Sequence, residues 1–192
     1  LTLDDNQERQ IAQGLRDGKT EAWQALFDAY AERVWRGVAR LLGPNCADVA
    51  DVVQETMLAA ARSTRSFDPS RGSLWPWLWG IAHNHVALHL RKQERRLQLV
   101  RVAWSEAINP SAPSPSEAME TAELASVVRA ALAEITADHA LLLTARYLDG
   151  ESVAAIALRE RASEVAVRSK LVRARQAFRE AFAKYNPPPA VD

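Results

Sequence analysis

Apolar residues recur three and four positions apart along nearly the whole chain, and no convincing run of strict alternation competes with that spacing. The fold is therefore expected to be all-α, with breakers setting the elements. A first helix is expected over 5–16, stopped by Asp17-Gly18. Thr20 is expected to cap a long helix to Leu42, with Trp23, Leu26, Phe27, Tyr30, Val34, Val38 and Leu41 along one face. Gly43-Pro44-Asn45 ends it. A third helix should run from about 47 to 64 on an inward stripe of Val49, Val52, Val53, Met57 and Ala60. SFDPSRGS at 66–73 reads as a loop. Pro76 suits the first turn of a fourth helix, where its missing N–H costs nothing, and that helix should reach about Arg96.

Residues 105–117, SEAINPSAPSPSE, hold three prolines and four serines, the composition of an extended, flexible linker. The chain thus divides into two small helical domains, 1–100 and 119–186, joined by a linker over 101–118 and followed by a tail at 187–192. The second domain should carry helices at about 119–134, 138–148, 152–159 and 163–184, with Ser152 and Ser163 as N-caps.

The 192 residues carry 24 basic and 24 acidic side chains, but this neutrality hides segregation. Residues 61–101 hold 8 basic and 2 acidic groups, and 152–192 hold 8 and 4. Residues 1–60 hold 6 and 10, and 102–151 hold 2 and 8. A solvated helix surface would mix its signs more evenly. Cys46 is the sole cysteine, so an internal disulfide and a Cys-based zinc cluster are excluded, which fits a reducing cytoplasm. The polar start LTLDDNQERQ is unlike a signal peptide, and no apolar run approaches the roughly 18 residues of a membrane span.

The basic blocks coincide with two recognisable patterns. LWPWLWGIAHNHVALHLRKQERR at 74–96 places three tryptophans ahead of an asparagine and an Arg/Lys cluster. At 100° per residue Trp77, Asn84 and Arg91 fall nearly in line, while Leu74, Leu78, Ile81, Ala82 and Leu88 gather on a face that can be buried. Aromatic faces beside a cationic track suit unstacked bases, and Asn pairs with a base edge as donor and acceptor. Arg91, Lys92, Arg95 and Arg96 would hold phosphates. The competing reading is a set of core tryptophans with a solvated basic end. His85 and His89 have zinc-compatible spacing, but no Glu or Cys completes a site, and no metal or other cofactor is expected.

SVAAIALRERASEVAVRSKLVRAR at 152–175 reads as a helix-turn-helix. Val153, Ile156 and Ala157 should bury its first helix; Val167, Leu171, Ala174, Phe178 and Phe182 should bury the second. Arg168, Ser169, Val172 and Arg173 then face a major groove, where Arg takes two guanine acceptors and Val touches a thymine methyl. Lys170, Arg175 and Arg179 lie to the sides, placed for phosphates. In the third helix, Asp48, Asp51, Gln54, Glu55 and Leu58 form an outward patch able to receive a basic helix of a partner; a solvated face is the plainer alternative.

Taken together these segments resemble a bacterial RNA polymerase sigma factor of the extracytoplasmic-function (ECF) group within the sigma-70 family. ADVADVVQETMLAA resembles the core-binding helix. FDPSRGSLWPWLWGIAHNHV resembles the loop and promoter-reading helix, with Trp77-Leu78, Ile81-Ala82 and Asn84 on its pattern. ALAEITADHALLLTARYLDGESVAAIA followed by VRSKLVRAR resembles the second domain. The resemblance implies a non-catalytic subunit that binds core RNA polymerase and directs initiation by reading −10 and −35 elements and helping to melt DNA. It implies that Asp51, Gln54 and Glu55 meet the β′ clamp helices, that the β subunit is also a partner, and that Asn84 with the 66–75 loop receives a flipped −10 base between Phe67, Leu74 and Trp75. Arg168, Ser169, Val172 and Arg173 would read the −35 duplex. An anti-sigma partner and a monomeric free state are also implied. Arg161 stands where the family often has Gly at the turn, so it must accept or avoid a left-handed conformation. Leu88 stands where the family often has Asp, and Val165, Trp79 and Pro76 also depart from its pattern.

The rival is an ordinary helix-turn-helix regulator whose N-terminal helices sense a ligand or dimerise. It needs neither the acidic patch nor the Trp-Asn-Arg flank. An enzyme is not expected, because no nucleophile triad, carboxylate pair, glycine-rich phosphate loop or complete metal set is present.

Overall fold

A computed structural model describes residues 3–43, 47–64, 67–68, 73–105 and 117–186, apart from the side chains of Asp5, 96–105 and 117–120. Cys46, most of the 66–73 loop, the proline-rich stretch 106–116 and the tail 187–192 lie outside the described residues. Among the described residues every regular element is helical and there is no strand. In chain order they are α1 (Asp5–Arg16), α2 (Thr20–Leu42), α3 (Val49–Ser63), α4 (Leu74–Ser105), α5 (Glu117–Glu134), α6 (Ala137–Leu143), a π turn (Thr144–Leu148), α7 (Val153–Glu160) and α8 (Glu164–Tyr185).

The chain forms two compact units, Leu1–Val86 and Ala87–Asp192, that divide inside α4. Helix α4 also runs to Ser105, past its expected end at about Arg96, because LQLVRVAW contains no breaker before Pro110. In the second unit the Arg91 charge makes a small contribution favouring the ionised forms of Glu134 and Tyr185.

In the first unit α1 begins with a reciprocal cap. Asp4 accepts from the backbone N–H groups of Asn6 and Gln7 at 2.9 and 2.8 Å, and Gln7 accepts from the Asp4 N–H at 3.0 Å. Thr20 does not cap α2; Lys19 holds that position without a side-chain bond, and Thr20 is the first helical residue. The core collects Ile11 and Leu15 from α1, Leu26, Tyr30, Val34, Val38 and Leu41 from α2, Val49, Val52, Val53 and Ala60 from α3, and Leu74, Leu78, Ala82 and Val86 from α4. Each fully buried Leu or Val contributes about 1.5–3 kcal/mol relative to exposure. Two close approaches tighten the packing. A Cβ at Gly14 would lie 2.6 Å from the Ala22 Cβ, and one at Gly37 would overlap the Trp79 ring. The unusual Trp79 is therefore matched by a glycine on α2.

Several inward expectations fail in detail. Phe27 is 53% exposed and Leu88 50% exposed, while Trp23, Met57, Ile81 and Val153 are only half-buried. The fully buried residue on that turn of α3 is Thr56, whose hydroxyl donates to the Val52 carbonyl at 2.7 Å and so enters the core already satisfied.

In the second unit Ala131, Leu132, Ile135, Leu142, Leu143, Ile156, Val167, Leu171 and Ala174 are buried. Phe178 and Phe182 are half-buried, packed on each other at 5.8 Å. The segment 138–148 is not one uniform helix. It widens after Leu143 into the π turn, which the Asp149 N–H closes on the Thr144 carbonyl at 3.0 Å.

Candidate functional site

The outward side of α3 follows from what its other side buries. With Val49, Val52, Val53, Thr56 and Ala60 inside, Asp51, Gln54, Glu55 and Leu58 are exposed, and Leu58 retains 47% of its accessible surface. Asp48 is half-buried and occupies the N-cap position of α3, without a side-chain cap bond. Glu55 has a neighbour that the sequence did not suggest: His85 Nδ1 on α4 lies 3.3 Å from its Oε2. Thr20, Trp23, Gln24, Leu26, Phe27 and Met57 line an open, mainly apolar cleft of about 250 Å³ between α2 and α3.

The aromatic cluster separates into core and surface. Phe67, Leu74 and Trp75, expected as candidate walls of a base pocket, are all buried. Trp75 stacks on Tyr30 with ring centroids 6.2 Å apart and on Trp79 at 5.8 Å, and the Arg33 guanidinium sits 3.9 Å from its ring centre. Phe67 packs against Trp77 at 5.3 Å. Trp77 is half-exposed and Asn84 is exposed, as the 100° projection requires. Burial and the Glu8 carboxylate push the Tyr30 hydroxyl well above the ordinary phenol range, so it donates to Glu8 as a neutral group. The roles of Glu8 and Arg33 leave no signal in the sequence, because their partners Tyr30, Leu74 and Trp75 are far away along the chain.

Further along α4, in the second unit, Arg91, Lys92 and Arg95 are exposed. Arg91 also folds back to its own helix, donating from Nε to the Ala87 carbonyl at 3.0 Å. The Arg96 side chain lies outside the described residues.

Helices α7 and α8 are joined through Arg161, Ala162 and Ser163. Arg161 accepts the left-handed conformation, with φ 53° and ψ 39°. The Ala162 N–H to Ala157 carbonyl bond at 2.9 Å closes this turn and offsets a strain of about 1–2 kcal/mol. Ser152 and Ser163 cap their helices by accepting from Ala155 and Ala166 at 3.0 and 3.2 Å. With Val167, Leu171 and Ala174 buried, Arg168, Ser169, Val172, Arg173 and Arg175 are exposed. Arg168 pairs with Glu164 one turn earlier at 2.6 Å.

Lys170 departs from its expected lateral role. Its Nζ lies 2.7 Å from Asp138 on α6 and 3.0 Å from Glu160 on α7. Burial opposes the ammonium form, but the two carboxylates outweigh it and leave the pKa raised. Lys170 therefore fixes the base of α8 to its neighbours; its charge is already matched within the protein.

Residues 26–96 match the family described as Sigma-70 region 2. The chain is 30% identical over 156 residues to the ECF RNA polymerase sigma factor SigL of Mycobacterium tuberculosis, covering 81% of this chain and 86% of that protein. This chain belongs to the ECF RNA polymerase sigma factors. The ECF RNA polymerase sigma-E factor of Escherichia coli is also 30% identical, over 177 residues, covering 88% of this sigma factor and 90% of that one. A solved structure of CnrH in complex with the cytosolic domain of CnrY is 22% identical, with a TM-score of 0.46 over 93% of this chain and 98% of that one. The function of the chain is accordingly that of a sigma factor in transcription initiation. Among the described residues no helix is long and apolar enough to cross a membrane.

Proposed function

We propose that this sigma factor binds core RNA polymerase through the outward side of α3 and carries it to promoters in the cytoplasm. The observation that carries the reading is the exposure of Asp51, Gln54, Glu55 and Leu58 as one contiguous patch on a helix whose opposite side is packed. Acidic and amide groups around one exposed leucine suit a basic helix of the β′ clamp. Asp48, half-buried, stands at the edge of the patch.

On the DNA side, Asn84 and Trp77 meet the opened −10 strand, and Arg91, Lys92, Arg95 and Arg96 take its phosphates. Phe67, Leu74 and Trp75, with the 66–75 loop, are the candidate walls of the pocket that receives a flipped −10 base. Helices α7 and α8 act as a helix-turn-helix, with Arg168, Ser169, Val172 and Arg173 reading the −35 duplex and Arg175 at its backbone. The Pro/Ser-rich region within 101–118 serves as a linker, the free chain is a monomer, and an anti-sigma protein holds it inactive. Nothing in the reading requires catalysis or a cofactor.

Charge reversal at the patch tests the polymerase contact. Asp51→Arg should abolish retention of this chain on immobilised core polymerase while leaving its helical circular-dichroism spectrum intact. Wild-type retention by that variant would refute the assignment of α3.

A further inference from the structure

Helix α1 precedes the Sigma-70 region 2 match, which begins at residue 26. Two of its side chains nevertheless grip the part of the unit from which α4 starts. Glu8 Oε2 accepts from the Leu74 N–H at 3.2 Å, while its Oε1 accepts from the Tyr30 hydroxyl at 2.6 Å. Arg16 Nη2 donates to the Phe67 carbonyl at 2.5 Å.

The chemistry of these contacts is specific. The first N–H groups of a helix have no partner within it, and the backbone dipoles leave that end positive. Pro76 brings no N–H to the first turn of α4, and Glu8 satisfies the one on Leu74 with a carboxylate supplied from 66 residues away. The same carboxylate fixes the Tyr30 ring, on which Trp75 stacks. Arg16 fixes the backbone of Phe67, whose ring supports the half-exposed Trp77 at 5.3 Å. The two ends of the segment between Phe67 and Leu74 are thus tied to one helix. Those ties set the axial and rotational register in which α4 presents Trp77 and Asn84.

We propose that Glu8 and Arg16 are positioning residues for −10 recognition, holding Phe67 and the first turn of α4 so that Trp77 and Asn84 meet a displaced base in one fixed geometry. The proposal rests on the reading of this surface as the −10 site. A base contact depends on placement to a fraction of an ångström, so loosening its support degrades discrimination before it degrades folding.

The test uses the full chain assembled with core polymerase. One arm selects from promoters whose −10 segment is randomised within a pre-opened bubble; the other selects from a randomised −35 duplex. Glu8→Ala combined with Arg16→Ala should lower −10 enrichment about tenfold, equivalent to about 1.4 kcal/mol of discrimination. Core retention and −35 enrichment should stay at wild-type levels. Glu8→Gln with Arg16→Lys, which keeps an acceptor and a donor, should restore most of the preference. Full −10 selectivity in the double-alanine chain would overturn the proposal. So would joint loss of core retention and −35 selectivity, which would mark general destabilisation. A wild-type holoenzyme without any −10 preference would instead refute the reading of the surface, and the proposal would fall with it.

Discussion

The aromatic start of α4 and the basic start of α8 look equivalent in sequence: each places groups suited to nucleic acid along one side of an amphipathic helix. In the structure they diverge. At α4, Leu74, Trp75, Leu78 and Trp79 are buried, and Trp77 and Asn84 remain at the surface. At α8, Arg168, Ser169, Val172 and Arg173 are all exposed; Arg168 pairs with Glu164 on its own helix, whereas Lys170 turns to carboxylates on α6 and α7. The contrast is one of chemistry. An indole stacks equally well on a base or on another indole, so its sequence signal carries two meanings. A guanidinium keeps its charge wherever it sits, so it leaves water only where an aromatic face, a carbonyl or a carboxylate receives it, as the Trp75 ring receives Arg33.

Paired substitutions sharpen that contrast. The largest effect is expected at Trp75, where Ala should cost about 3–5 kcal/mol of stability, as for other buried large aromatics. Trp77→Ala should lower the thermal midpoint far less and should appear instead as poorer promoter opening by holoenzyme. Equal midpoints for the two variants would erase the distinction between core and surface tryptophans.

Next in size is α8. Arg168→Ala and Arg173→Ala should each remove about 1–3 kcal/mol of −35 discrimination, read by competition footprinting, with the thermal midpoint unchanged. Lys170→Ala should show the reverse pattern, losing about 1–2 kcal/mol of stability by denaturant titration while base preference persists. A Lys170 variant that weakens DNA binding without any loss of stability would return that residue to the phosphate track.

The smallest effect is a pH dependence. Glu134 is held below the usual carboxylate range, chiefly by the hydrogen bond from Lys184. A depressed folded-state pKa stabilises the fold above the ordinary carboxylate value, and that contribution fades as pH falls through the folded value. Lys184→Met should therefore lower stability slightly at neutral pH and merge with wild type in acid. A constant gap across the acid range would contradict the ion pair.

Helix spans and caps were largely legible because their causes are local. Ser152 and Ser163 sit where a hydroxyl reaches the third N–H, and Asp17-Gly18 and Gly43 stop the helices before them. The exposed α3 patch and the α8 surface were legible for the same reason, since a buried stripe fixes what its opposite side shows. Trp79 against Gly37, Glu8 at the start of α4 and Lys170 between Asp138 and Glu160 were not. Each joins residues far apart in sequence, so periodicity carries no trace of it.

The central claim is that α3 delivers polymerase while α4 and α8 choose the start site. The most direct measurement is in vitro transcription with purified core polymerase on a library of genomic promoter fragments, with and without this chain. The account predicts new, chain-dependent start sites sharing a −10 and a −35 element, all lost in Asp51→Arg. A core enzyme that initiates at the same places whether or not the chain is present would contradict it.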